Sequence, residues 1–424
     1  MKQQSAKIRL VIGFALLVLI AFNSIKGNNQ SFILFLYLIN FIFAGKKEKI
    51  LLMLASLPLQ SSANIMNLLS IVTCEQIIYL ISFLLKPKNN LKINLFITIL
   101  IIFLLQLLSI SIFNSNYLSF FNVIGFVIAL ITMILLSIEC RAGTLTYEEF
   151  AYSVIGGLLL ASLVMIVFDY GTIKGLLLMD VKYRYFGYTY NANTSSAQYL
   201  IALGFIIVLL LQSNFKRSVI YLMIFGFFCV FLVISISRST IYALILMIVL
   251  YMIHLVKLKN GNIKKTILLL STICLTLFLN TFVIGNIVQK RGFISSNQAD
   301  WTNGRILNTT ESFSYIINRN GFMPLVFGYG TKNLVTIMRN EGLETGGTHN
   351  TFLEIFISCG LLGSIFWLYL MFSTFKQNKS FFKTYYAIPI YVMLIIALVS
   401  NFDNSDFVYL LLPIIIIKRV KCTT

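Results

Sequence analysis

The sequence predicts an all-α, polytopic helical membrane protein of about 12–14 transmembrane helices, and three observations carry that prediction. Of the 424 residues, 58% are hydrophobic and 11% charged, whereas a soluble domain carries about 25% charged residues; the mean hydropathy is +0.88. Runs such as 93–112 and 117–138 are nearly charge-free and, as helix, long enough to cross roughly 30 Å of hydrocarbon. They show no polar/apolar alternation, which argues against a β-barrel, the other architecture that satisfies its backbone in lipid.

The expected spans are residues 8–22, 31–44, 50–60, 64–85, 93–112, 117–138, 150–168, 197–212, 218–236, 239–255, 266–287, 349–373, 384–400 and 405–417. The first has no small-residue cleavage pattern and many spans follow it, so it reads as a retained helix and not a signal peptide. Cys74, Cys140, Cys229, Cys274, Cys359 and Cys422 are scattered, without the spacing of a metal site or a disulfide framework.

The net charge of +19 raises the question of a polyanionic partner, and its distribution answers it. Alternate connections hold Lys46, Lys47 and Lys49, then Lys86, Lys88 and Lys92, Lys216 and Arg217, Lys257 to Lys265, Lys376 to Lys383, and Lys418 to Lys421. With Lys2, Lys7, Arg9 and Arg141, 22 of the 33 basic residues fall on one side. The short loops of the other side hold only Lys26 and Arg238. That bias orients a protein in the cytoplasmic membrane with both termini in the cytoplasm; it serves topology and lipid contact and implies no nucleic acid. The expected organisation is one integral membrane domain. It comprises N-terminal helices over 1–168, an outer loop at 169–196, central helices over 197–287, a large outer loop at 288–348 and C-terminal helices over 349–424. Outer loops of such length inside a compact membrane domain are usually functional.

The boundary between the large loop and its following span draws the most attention. His349 is one of two histidines in the chain; His254, near the basic side, reads as structural. With a helix starting near Thr348, His349 lies in the first turn, where the macrodipole keeps the imidazole neutral, as a general base requires. His349, Leu353, Phe356, Gly360 and Gly363 then share one stripe, whose glycines allow close helix packing. Asn350 and Glu354 flank it, although Glu354 lies about 140° around the helix from His349. Taken singly, such a histidine is more often a helix cap than a catalyst.

Arg184 lies in an outer segment with Tyr188, Asn191 and Asn193, a set suited to phosphate beside sugar, since guanidinium forks onto phosphate oxygens; a membrane-interface aromatic belt explains the tyrosines equally well. Arg238, after Ser237, is a membrane-edge cation that is costly unless paired. Arg305 follows Gly304, and Gly328-Tyr329-Gly330 lies further along the same loop; alone, both read as turn chemistry. Glu75, beside Cys74 and Gln76, reads as a polar seam between helices rather than a proton-coupled carrier site. Asp403 and Asp406 form no Asp-x-Asp pair, so no metal is expected.

Together these motifs resemble the O-antigen ligase and polysaccharide polymerase superfamily of bacterial envelope glycosyltransferases. The resemblance rests on Arg184, Gly187 and Asn191 or Asn193 before a span, on Ser237 to Thr240, and on Gly304-Arg305. It extends through Gly328-Tyr329-Gly330, His349-Asn350-Thr351-Phe352-Leu353 and Gly360-Leu361-Leu362-Gly363. It covers roughly residues 180–400; the first part of the chain matches only as generic membrane helices. The family often has a tryptophan after the loop's Gly-Arg, whereas here Trp301 precedes it.

The resemblance implies a donor saccharide on a polyprenyl diphosphate, no cofactor or metal, and transfer at the outer face. His349 would be the base. Arg184, Arg238 and Arg305 would hold the diphosphate, with Tyr188, Asn191, Asn193, Ser237, Asn350 and Glu354 in support. A flippase and a chain-length regulator of the same pathway are the expected protein partners. The motifs do not separate a polymerase, which extends a glycan, from a ligase, which moves a finished one. Richness in Lys, Asn, Ile and Phe fits a low-GC bacterium making capsule or exopolysaccharide and favours the polymerase. A flippase or other carrier, the alternative of a different class, is expected to show internal repeats and midplane polar sites; the sequence shows no such repeat.

Overall fold

The computed structural model describes residues 2–26, 30–60, 62–65, 69–84, 117–168, 192–235, 238–257, 322–329 and 351–399, with isolated positions 101, 104 and 314. The expected spans at 93–112, 266–287 and 405–417 lie outside the described residues. Among the described residues the fold is all-α apart from one two-residue ladder, as the uninterrupted apolar runs require of a backbone in lipid. The helices are α1 (Lys2–Lys26), α2 (Ser31–Phe43), α3 (Lys46–Ser56), α4 (Ile71–Leu84), α5 (Tyr117–Ala142) and α6 (Tyr147–Phe168). They continue with α7 (Ala192–Gln212), α8 (Phe215–Ile234), α9 (Arg238–Lys257), α10 (Phe322–Phe327), α11 (Thr351–Gln377) and α12 (Ile388–Val399). Four are long and apolar enough to cross a membrane: Gln4–Lys26, Tyr147–Phe168, Thr194–Gln212 and Ile355–Ser373.

Among the described residues, the connections that carry Lys46 and Lys47, Arg141, and Lys216 and Arg217 meet at one end of the bundle. There the termini of distant helices are tied together. The Gln212 amide at the end of α7 donates to the Tyr386 hydroxyl just before α12, and the Tyr147 hydroxyl at the start of α6 donates to the Tyr386 carbonyl at 3.3 Å. Lys46 and Lys47, opening α3, pair with Glu139 of α5 and Glu149 of α6. The start of α1 lies there too, since Arg9 donates to the Phe43 carbonyl at the end of α2.

The region 46–84 departs from two ordinary spans. Pro58 ends the first arm in a single 3₁₀ turn, Leu57–Leu59, and Asn64–Ile65 pairs antiparallel with Leu69–Ser70. The expected helix over 64–85 therefore begins only at Ile71. Both arms start and finish at the basic end, as the hydrogen bond from Lys49 Nζ to Ser82 Oγ at 2.7 Å shows. At 1.5 Å per residue, the 14 residues of α4 extend about 21 Å, short of the membrane's roughly 30 Å. The first arm is buried as far as it is described before the ladder, with Leu57, Leu59 and Ala63 fully enclosed. Inside this hairpin, the buried Glu75 carboxylate accepts hydrogen bonds from the hydroxyls of Tyr37 and Ser56. This is the polar seam expected of that carboxylate.

Helix α7 is the axis of the second half, buried along almost its whole length and surrounded by α6, α8, α9 and α12. The Tyr199 hydroxyl shares a 2.7 Å hydrogen bond with Ser162 Oγ of α6, and its ring stacks on Phe231 of α8. Close approach between α3 and α6 depends on one glycine of an adjacent pair. A Cβ at Gly157 would fall 2.2 Å from the Ala55 carbonyl oxygen, whereas one at Gly156 would meet nothing within 4 Å. Gly157→Ala is therefore expected to dislodge α3 at a cost of about 1–3 kcal/mol. Gly156→Ala is expected to be neutral or slightly stabilising, since alanine is the better helix former. Thermal unfolding of the two purified variants in detergent tests the contrast; equal midpoints would contradict it.

Candidate functional site

Of the expected site residues, Asn193, Arg238 and Glu354 lie among the described residues. Helices α7 and α8 are joined by Ser213 and Asn214 alone, and α8 and α9 by residues 235–237. Two such tight reversals set the starts of α7 and α9 at the same end, and the two helices pack together. Asn193 in the first turn of α7 and Arg238 opening α9 therefore share one end of the bundle. At the reversal between them, Ser235 is fully buried and its hydroxyl donates to the Leu232 carbonyl at 2.5 Å. Glu354 lies in the first turn of α11. Arg184, Tyr188, Asn191, Ser237, Arg305, His349 and Asn350 lie outside the described residues.

Helix α11 is not the straight span expected over 349–373. Gly360 has φ 63° and ψ −172°, a backbone region open essentially to glycine alone. The break separates a first segment, residues 351–359, from a second, residues 361–377. Phe352 and Trp367 are 15 residues apart, about 22 Å along an unbroken helix, yet their ring centroids lie 5.8 Å apart in an edge-to-face contact. The first segment consequently folds back against the second. The single stripe from His349 through Gly360 to Gly363 does not exist, because its helical phase is lost at Gly360. The close packing expected of that stripe survives at Gly360 but involves a different partner. At Gly363 an added Cβ meets only Cys359 of its own chain.

The partner at Gly360 is the outer-loop motif. Gly328, with φ 79°, ends the short helix α10 and lies backbone to backbone against Gly360. A Cβ on Gly328 would come 2.4 Å from the Gly360 nitrogen, and one on Gly360 2.3 Å from the Val326 carbonyl oxygen. The Tyr329 amide donates to the Ile357 carbonyl at 2.8 Å, an acceptor that an unbroken helix would offer to Leu361. Tyr329 is itself buried. Gly328 and Tyr329 are thus more than the turn that the loop sequence suggests: they clasp the broken helix. A glycine inside an apolar run was the signal available; nothing local identifies its mate.

Among the described residues no group of three or more His, Cys, Asp or Glu side chains is arranged to hold a metal. Free cysteines Cys74, Cys140, Cys229 and Cys359 are buried and separate.

These features define a multi-pass helical membrane protein in which a loop motif at one end fastens a re-entrant half-helix. Residues 222–368 match the family model described as O-antigen ligase. The match covers about a third of the chain; over that stretch the chain is similar to the O-antigen ligase and polymerase-like superfamily, which supports a glycosyltransferase-like role. The matched stretch contains Ser237, Arg238, Arg305, His349, Asn350 and Glu354, together with both clasp glycines; Arg184, Tyr188, Asn191 and Asn193 precede it. No curated protein and no solved structure matches the chain.

Alanine at Gly360 is expected to cost about 1–3 kcal/mol for its φ alone, and the collision with Val326 adds to that. Gly360→Ala should lower the unfolding temperature of the purified protein. Wild-type stability would show that the clasp is dispensable.

Proposed function

We propose that the protein is a polysaccharide polymerase. It transfers oligosaccharide repeat units from polyprenyl diphosphate onto a growing glycan at the outer face of the cytoplasmic membrane. The observation that carries this reading is the family match over the stretch that contains the clasp, Arg238, Arg305 and His349. In the proposed mechanism His349 accepts the proton of an acceptor hydroxyl as that oxygen attacks the anomeric carbon. The bond from that carbon to the diphosphate oxygen breaks, and the charge gathering on the leaving group is met by Arg184, Arg238 and Arg305. Tyr188, Asn191, Asn193, Ser237, Asn350 and Glu354 serve substrate binding around them. The reaction inverts the anomeric centre and needs neither metal nor cofactor; a flippase and a chain-length regulator supply and limit it.

A ligase that passes a finished glycan to another acceptor is the second reading, favoured by the family model's own description. Deletion of the gene followed by analysis of lipid-linked and surface glycan separates the two. Loss of long chains with accumulation of single lipid-linked repeats is the expected result. Long chains stranded on the lipid carrier would mean a ligase, and repeats retained on the inner side a flippase.

His349→Ala is expected to abolish polymer while leaving the membrane level of the protein unchanged; retained chain length would refute its role as base. Arg184→Lys and Arg238→Lys should each reduce activity by about tenfold or more, because an ammonium cannot fork onto a diphosphate. Full activity in both would remove the donor site from those positions.

A further inference from the structure

On the membrane-spanning α7, Tyr199 is paired with Ser162 across to α6, and the Gln212 amide nitrogen donates to Tyr386 at the basic end while Gln212 Oε1 has no partner among the described residues. At the other end, Thr194 and Gln198 are each 3% exposed, and among the described residues neither Thr194 Oγ1 nor Gln198 Nε2 has a hydrogen-bond partner. The two residues are four apart, so they share one face of the helix, with Gln198 about 6 Å deeper than Thr194. Tyr199 is about 100° around from Gln198, so its hydrogen bond leaves that face untouched.

An unsatisfied buried polar group costs about 1–3 kcal/mol, and valine and leucine would fill the same volume without that penalty. Two such groups one turn apart, at the end of the bundle where Arg238 opens the neighbouring helix, point to a ligand that supplies the missing partners. A hydroxyl and a carboxamide suit sugar hydroxyls, each of which donates and accepts.

We propose that Thr194 and Gln198 line a recess for the sugar residue attached directly to the donor diphosphate, holding its hydroxyl groups against α7. This rests on the glycosyl-transfer reading above, with the diphosphate beside the start of α9; it adds two residues that select the saccharide rather than the phosphates. Thr194 precedes the family match, as Gln198 does, so the recess would distinguish this chain's donor from those of its relatives.

The test uses the full-length protein in detergent, the double variant Thr194→Val/Gln198→Leu and the two single variants. Two probes are compared: undecaprenyl diphosphate, and the polyprenyl-diphosphate-linked oligosaccharide extracted from the parent cells. Replacing unsatisfied polar groups with apolar ones of similar shape should raise the unfolding temperature. The same change should weaken binding of the saccharide-bearing lipid by about tenfold while leaving undecaprenyl diphosphate unaffected. Wild-type affinity for the saccharide-bearing lipid, or equal weakening toward both probes, overturns the recess. If the double variant does not fold, each single variant is expected to show the same selectivity at smaller size, and its absence there overturns the recess as well. Wild-type protein that binds neither probe overturns the glycosyl-transfer reading, and the recess falls with it.

Discussion

The contact between Gly328 and Gly360 sets the geometry around which the rest of the opposite end is arranged. Two backbones meet there with no side chain between them, and each glycine has a positive φ. Breaking a helix inside an apolar bundle exposes carbonyls that lipid cannot satisfy. The Tyr329 amide takes one of them, so the break and the loop that covers it are mutually dependent. The half-helix behind His349 is therefore held in two ways, by the Phe352–Trp367 ring contact along its flank and by the loop at its tip. Held geometry of this kind is what a base needs if it is to meet an acceptor hydroxyl in attack position.

The opposite arrangement prevails at the basic end. Tyr386 accepts from Tyr147 and Gln212, and Lys46 and Lys47 join the hairpin to α5 and α6. Surface ion pairs contribute little singly, but Glu139 is almost fully enclosed, and its Oε2 also accepts from Thr144 at 2.9 Å. The hairpin seam at Glu75 follows the same logic. A carboxylate in the membrane interior is expensive, and two hydroxyl donors from α2 and α3 are what make it tolerable. The basic end is cross-linked by several polar contacts, although Gln212 Oε1 there has no partner among the described residues.

Hydropathy revealed the helices, because it is summed over many residues and survives local exceptions. Residues 117–138, 150–168, 197–212 and 239–255 are helix throughout, and the span expected at 218–236 is helix through Ile234. What hydropathy could not reveal was where an apolar run bends. Pro58 and the polar residues Gln60, Ser62 and Asn64 interrupt a stretch whose average remains apolar, and the hairpin they form emerges only when its two arms pack. Gly360 posed the same difficulty in a sharper form: a glycine four residues before Ser364 in an apolar run suits tight helix packing as well as it suits a break. Only its mate 32 residues upstream, at Gly328, decides between them. Of the expected site, Asn193 and Arg238 lie in the first turns of α7 and α9, two helices that pack together.

The family match begins within α8 and ends within the second segment of α11, taking in the clasp and the start of α9 but none of α1 to α7. A lipid-linked donor presents two chemically distinct parts to such a protein. Its diphosphate is common to every substrate of this kind, and the residues that stabilise departing charge have reason to be shared. Its sugars differ from one polymer to the next, and the residues that read them do not. On the proposed reading, the unpartnered polar atoms on α7, outside the match, are where residues that read the variable part would lie, adjoining shared machinery without being part of it.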